Sequence, residues 1–254
     1  MRSLVSAELL KLRSTRSAWI PLAAALIAAV LAVIANTSAA GVGGNPPLSP
    51  AMLPDLLRAS GGQLVNGAVL LAWIVLSAGE FRHRTSVITF LGEPNRLRVL
   101  SAKLAAAALT GITVGLLAEA LSAATSAATL SAHHVPLVWG QPGVLGAVTA
   151  VPLLAALYGV LGASLGLLLR NTAAAVGLAL MWAFVVEGIV PALTREPGIS
   201  HWLPEAAANA VLHGASPGAL PVGVALTVLA GYAAVLAGAG AALTARREIS
   251  TTMG

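Results

Sequence analysis

The sequence predicts an all-α integral membrane protein with six membrane-spanning helices, and three observations carry that prediction. Only 9% of the 254 residues are charged, against roughly 25% in a soluble domain. Mean hydropathy is +0.88, so polar side chains are too few to cover a water-facing particle and most of the surface must meet lipid. Uncharged apolar runs of spanning length recur along the chain, separated by short polar stretches. Such runs cross a bilayer as helices, because a helix pairs its backbone groups within one segment.

Residues 1–16, MRSLVSAELLKLRSTR, carry Arg2, Lys11, Arg13 and Arg16, with Leu4, Val5, Leu9 and Leu12 on one helical arc that Glu8 interrupts. This predicts an amphipathic helix at the membrane surface. SAWIPLAAALIAAVLAVIA (17–35) is the first span. The small residues of ANTSAAG that follow suit signal-peptide cleavage. A signal's apolar core, however, is usually about 7–15 residues, and this run is longer, so a retained helix is favoured. Residues 36–60 hold four prolines and read as a loop with a short helix at 52–59. The second span is 61–79.

The third span is 99–131, uncharged from Leu104 onward except for Glu119. HHVPLVWGQPG (133–143) is a turn-rich loop with Trp139 at an interface-like position. The fourth span, 143–169, ends at Arg170. The connection Arg170-Asn171-Thr172 is so short that spans four and five must form a helical hairpin. The fifth, 173–191, contains Glu187. The next forty residues to bear on the count, 206–245, lack Asp, Glu, Lys and Arg. Two spans would fill them with no room for a turn. Pro217 and Pro221 suit a helix start, so 203–214 reads as a short helix dipping into the outer leaflet and 217–243 as the sixth span. Such backbone is tolerated at depth when buried against protein.

Orientation follows from charge. One side receives Arg2, Lys11, Arg13, Arg16, Arg82, Arg84, Arg96, Arg98, Lys103, Arg170, Arg246 and Arg247; the other receives Arg58 and Arg195. This bias predicts that both termini are cytoplasmic. The same placement, at the ends of apolar runs, argues against nucleic acid as the partner of a chain with pI near 10.7.

The stretch GEFRHRTSVITFLGEPNRLR (79–98) then lies in the cytoplasm. Four arginines alone would orient the protein. Beyond that, Phe81, Thr85, Val87, Ile88 and Leu91 share one helical arc, while Arg82, His83, Ser86 and Thr89 point elsewhere. A short amphipathic helix needs a surface to rest on, lipid or protein. Gly92-Glu93-Pro94 breaks the chain, and Pro94 suits the first turn of a new helix.

Gly79-Glu80-Phe81-Arg82 followed by Thr85 resembles the Gly-Glu-aromatic-Arg-x-x-Thr motif of type 2 ATP-binding-cassette (ABC) exporter permeases. Glu8-Leu9-Leu10-Lys11-Leu12-Arg13 resembles their N-terminal elbow helix (1–16). Arg96-x-Arg98-Val99-x-x-Ala102-Lys103 resembles the start of their third span, and Arg170-Asn171-Thr172 their connection before span five. Glu187 and Trp202-Leu203-Pro204, with Ala206 to Asn209, resemble the end of span five and an outer re-entrant segment (192–216). The bacterial drug, antibiotic and bacteriocin exporters are most similar.

The resemblance implies a single six-helix permease domain over 1–254, with a cytoplasmic coupling loop at 80–98. It assigns 80–91 as a coupling helix that seats on an ATPase subunit, through Glu80, Phe81, Arg82, Arg84, Thr85, Ile88 and Leu91. It implies two ATPase subunits, a second permease chain, and residence in the bacterial cytoplasmic membrane. The cargo is expected to be amphiphilic: a drug, antibiotic, peptide or lipid-like molecule.

Other chemistries find little support. There is no cysteine, which removes disulfides, thiol catalysis and cysteine-based zinc sites. A P-loop needs Gly-x-x-x-x-Gly-Lys-Ser/Thr; the lysines at 11 and 103 are each followed by leucine, so ATP and Mg would be bound by the partner subunit and no cofactor is expected here. Gly162-Ala163-Ser164-Leu165-Gly166 faintly suggests an intramembrane serine protease, but no histidine lies within a span to act as base, and small residues commonly mark close helix packing. His133-His134 lacks a nearby third ligand for a metal. Neither catalytic nor metal-binding residues are therefore assigned.

Glu119 and Glu187 are the candidate pathway residues. A charge at mid-membrane costs at least about 2.5–3.5 kcal/mol, so it usually faces a cavity or partner. For Glu119, a substrate or proton site and a hydrogen-bonded interhelical carboxyl stay open; for Glu187, near the outer end of span five, a structural role is favoured. The expected function is the permease of an ATP-driven exporter. The alternatives are a proton-coupled exporter using Glu119, or a membrane scaffold without transport.

Overall fold

Thr15 separates the first helix from the second. The structure, a computed structural model, describes residues 1–59, 62–82, 95–193, 197–214 and 219–246. Helix α1 (Arg2–Ser14) stops where Thr15 turns extended, φ −95° and ψ 95°, and α2 (Arg16–Ser38) starts at the next residue. The Thr15 hydroxyl donates to the Lys11 carbonyl at 2.7 Å and helps close the α1 terminus. On α2 the buried residues Ala18, Leu22, Ala25, Ala29 and Val33 recur every three to four positions. The rest of its surface remains apolar, with Trp19, Ile20, Ile27, Leu31 and Ile34 exposed, as suits a helix whose outer solvent is lipid.

At the end of the bundle away from α1, a 3-10 turn (Pro50–Met52) leads into the short α3 (Leu53–Ala59). Leu53, Leu56 and Leu57 drive into a cluster with Val33, Leu130, Val144 and Ala147. This is the short helix expected at 52–59. Polar contacts hold it: Arg58 pairs with Asp55 at 2.8 Å, and the Gln141 amide donates to the Pro50 carbonyl at 2.6 Å.

Three long helices form the centre: α4 (Gln63–Arg82), α5 (Arg96–Ala132) and α6 (Val144–Leu169). Helix α6 packs against both α4 and α5, and small residues make that possible. A Cβ on Gly111 would collide with the Ala155 backbone, and one on Gly162 with the Leu70 backbone. Without hydrophobic drive between helices in lipid, such close backbone approach supplies the packing energy. The Gly162-to-Gly166 run therefore seats α6 on α4, and the Ser164 hydroxyl donates to the Val160 carbonyl of its own helix at 2.7 Å.

The expected hairpin is present. Arg170 adopts a left-handed conformation (φ 54°), and the Asn171 side chain caps α7 (Thr172–Met181) by accepting from the Ala174 N–H at 3.1 Å. The fifth span is not one uniform helix. A π segment (Trp182–Val186) interrupts it before α8 (Glu187–Leu193), a departure that hydropathy does not register because every residue in it is apolar. Short helices α9 (Pro197–Ser200) and α10 (Pro204–His213) follow, then α11 (Val222–Arg246). Helix α10 buries Ala207, Ala208, Ala210, Val211 and Leu212 against α6 and α11, close to the short helix expected over 203–214.

Among the described residues, six helical stretches are long and apolar enough to cross a membrane: Arg16–Ser38, Pro50–Phe81, Arg96–Ala132, Val144–Leu169, Thr172–Ile189 and Val222–Leu243. They match the six expected spans. Of the coupling helix expected over 80–91, the structure describes only residues 80–82, at the end of α4; Arg84, Thr85, Ile88 and Leu91 lie outside the described residues.

Candidate functional site

The last turn of α4, Gly79-Glu80-Phe81-Arg82, is held from two directions. Glu80 is turned inward and is 9% exposed. Its Oε1 accepts from Lys103 Nζ of α5 at 2.7 Å and from Lys11 Nζ of α1 at 2.9 Å. Glu8 of α1 is the second carboxylate: Oε2 accepts from Lys103 at 2.7 Å and Oε1 from Lys11 at 2.6 Å. Two carboxylates and two ammonium groups, from three helices, thus form a neutral cluster. Lys103 is 2% exposed and among the largest fully buried side chains. Both lysines of the chain are here; its other twelve Lys/Arg residues are arginines. A compact ammonium with three rotatable donors can bridge two carboxylates in a tight space.

The local sequence explains how α1 contributes. Val5, Glu8, Leu9 and Leu12 fall on one face, and Leu12 with Val5 and Leu9 packs against the core. Glu8, which looks misplaced in that apolar arc, is 3% exposed and pairs with the two lysines. Burial alone would raise its carboxyl; the neighbouring Lys103 and then Lys11 outweigh burial and hold it below the ordinary range. For Lys11, burial pulls down, but Glu8 and Glu80 prevail and the ammonium sits above its ordinary value.

Phe81 faces the other way. The Arg170 guanidinium lies 4.8 Å from its ring centroid, a cation–π distance. Arg170 is the first residue of the connection between α6 and α7. The end of α4 is therefore fastened to α1 and α5 by Glu80, and to the α6–α7 connection by Phe81. Arg82 closes the helix.

Glu119 stands apart from this cluster. It is 4% exposed, midway along α5 beside Ala118, which packs with Val65 and Val69. Ser122 and Ser126, one and two turns on, are fully buried, and their hydroxyls meet no acceptor among the described residues. Thr110, Thr113, Thr125 and Thr129 on the same helix all donate to the carbonyl four residues back. The two serines, three and seven residues past Glu119, continue its polar face of α5.

Glu187, at the start of α8, has a structural task. Its Oε2 accepts the Glu205 backbone N–H at 2.7 Å and its Oε1 the Trp182 indole N–H at 3.0 Å. Leu203, the N-cap of α10, provides no side-chain cap, so a carboxylate from another helix supplies it. The π segment matters here, because its wider turn brings Trp182 and Glu187, five residues apart, into one hydrogen bond. The Tyr158 hydroxyl donates to Glu205 Oε2 at 3.5 Å, and Tyr232 packs edge-on to Trp182. Burial raises the Glu205 carboxyl, with the Tyr158 hydrogen bond pulling partly back.

Sequence reading named Glu80, Phe81, Glu119 and Glu187, but not Lys103, Lys11, Glu8 or Arg170 as their counterparts. One signal was on the page: a chain of twelve arginines keeps lysine at two positions only. Among the described residues no group of three or more His, Asp or Glu converges on a metal position. Compared with protein-family models, curated proteins and solved structures, the chain matches none.

Proposed function

We propose that this chain is the membrane-spanning subunit of an ATP-driven exporter in a bacterial cytoplasmic membrane. Separate ATPase subunits bind the nucleotide and Mg; two permease chains form the pathway; both termini face the cytoplasm. Helix α1 serves as the elbow helix. The observation that supports this most directly is the fastening of the α4 end. A force applied to the stretch following Arg82 meets no loose hinge there. Glu80 passes it to α1 and α5, and Phe81 to the α6–α7 connection. A loop that only set topology would need none of these attachments.

In this reading residues 80–91 seat on the ATPase subunit, with Ile88 or Leu91 in its cleft and Arg82 and Arg84 on acidic groups around it. ATP-driven closure of the partner subunits pushes the α4 end, and faces of spans two, three and five open the pathway outward. The apolar lining suits amphiphilic cargo.

The test is co-purification of this chain with the products of its neighbouring genes, followed by an ATPase assay. An ATPase subunit is expected to co-purify and to be released by Phe81→Asp. Because Phe81 also holds Arg170, Ile88→Asp is run beside it. Release by either variant with the permease still folded supports the reading. If no nucleotide-binding protein associates, the exporter reading falls and proton-driven transport through Glu119 takes its place.

A further inference from the structure

The charge cluster leaves a one-sided surface around it. Glu8 and Glu80 are buried and matched by Lys11 and Lys103. Among the described residues no carboxylate is exposed at the α1 end of the bundle, whereas Arg2, Arg13, Arg16 and Arg98 are. Beside α1, along the first turns of α5, runs a groove of about 430 Å³ lined by Asn95, Leu97, Arg98, Leu100, Ser101 and Leu104. The Met1 sulfur lies 3.9 Å from the Ser101 hydroxyl, so the start of α1 sits against this stretch.

The groove is graded. Leu97, Leu100 and Leu104 are spaced three and four apart and form an apolar wall about 10 Å long. Asn95, Arg98 and Ser101 supply its polar groups. Arg98 precedes buried Lys103 by five residues, about 7–8 Å toward the water end of the helix. Leu97 lies level with Arg98, and Leu100 and Leu104 follow toward the hydrocarbon, so a guanidinium followed by leucines repeats the order of parts in a phospholipid. The sign of the surrounding charge selects an anionic one.

We propose that this groove is a binding site for an anionic phospholipid, with the phosphate on Arg98 and an acyl chain along Leu97, Leu100 and Leu104. The Trp19 indole, donating to the Arg13 carbonyl at 3.4 Å where α1 meets α2, marks the level of the headgroups on the same side. The site needs only a bilayer. It stands whether or not the chain couples to an ATPase.

The experiment is native mass spectrometry of the purified full-length chain with phosphatidylglycerol and phosphatidylcholine in equal amounts. Phosphatidylglycerol is expected to be retained preferentially. Arg98→Gln should reduce that preference about fivefold, the contribution of one basic residue near a membrane surface. Leu97→Asn, at a 70% exposed position, should weaken retention of the lipid without unfolding the protein. An unchanged preference in Arg98→Gln overturns the proposal. So does an equal loss in Arg2→Gln or Arg13→Gln, which means a general basic surface. Displacement of the lipid by excess inorganic phosphate overturns it too, assigning the groove to free phosphate.

Discussion

Lys103 shows what a buried charge is worth when its partners are fixed. Removing its ammonium leaves Glu8 and Glu80 sharing only Lys11, with one uncompensated negative charge inside the bundle. Breaking a buried pair in this way costs about 3–5 kcal/mol. Lys103→Met should therefore lower the thermal midpoint of the purified protein steeply, while Lys103→Met with Glu80→Gln, which leaves the Glu8–Lys11 pair balanced, should recover at least half of the loss, roughly 2 kcal/mol. Equal midpoints for the single and double variants would mean that the cluster is not energetically coupled. The pH dependence has a defined sign. Glu8 titrates below its ordinary value in the folded protein, so its contribution is present above the unfolded value and lost as pH falls through the folded one. Lys11 is raised, so its contribution is present below the unfolded value and lost as pH climbs through the folded one. The cluster's contribution to stability should be flat between about pH 5 and pH 10 and fall on both sides. Glu8→Gln should soften the acid limb, as read from thermal midpoints in a pH series.

Helix packing and capping set the next level. Gly162 and Gly177 both lie inside helices, yet only the first has a neighbour: a Cβ there meets the Leu70 backbone, whereas one at Gly177 meets nothing within 4 Å. Gly162→Ala should force α4 and α6 apart and cost about 1–3 kcal/mol. Gly177→Ala should be neutral or gain up to about 1 kcal/mol, since alanine is the better helix former. Thermal unfolding of the two variants side by side separates packing from propensity. Near Tyr158, in the middle of α6, Glu187 caps α10. Glu187→Ala removes the acceptor of the Glu205 N–H and should speed hydrogen exchange over 205–208 about fivefold, the effect of a lost cap worth about 1 kcal/mol, with little change in α2. This element was only half legible in the sequence. Pro204 and the apolar run after it announced a short helix, but the π segment that aims Glu187 at it carries no signature in a string of apolar residues.

The spans themselves were legible throughout, because lipid imposes the pattern: every backbone group must be paired, so each crossing must be a long uncharged helix. The charge cluster was not, because its partners are far apart in the chain, 95 residues in the case of Glu8 and Lys103. Hydropathy reads neighbours; it does not read pairs. It counted Lys11 and Lys103 as orienting charges, although both are consumed in holding three helices together. Removing those two from the tally still leaves ten arginines on one side against Arg58 and Arg195 on the other, so the orientation argument survives the correction. The absence of cysteine makes it testable with single substitutions. Val138→Cys, at an exposed loop position, should react with an impermeant maleimide added to intact cells. Ser6→Cys on α1 and Asn171→Cys in the α6–α7 connection should react only after the membrane is permeabilised. Labelling of Ser6→Cys and Asn171→Cys from outside, with Val138→Cys protected, would invert the molecule and place the charge cluster on the outer face. Labelling of Ser6→Cys and Asn171→Cys from opposite sides would break the even number of crossings between them, and with it the six-span topology.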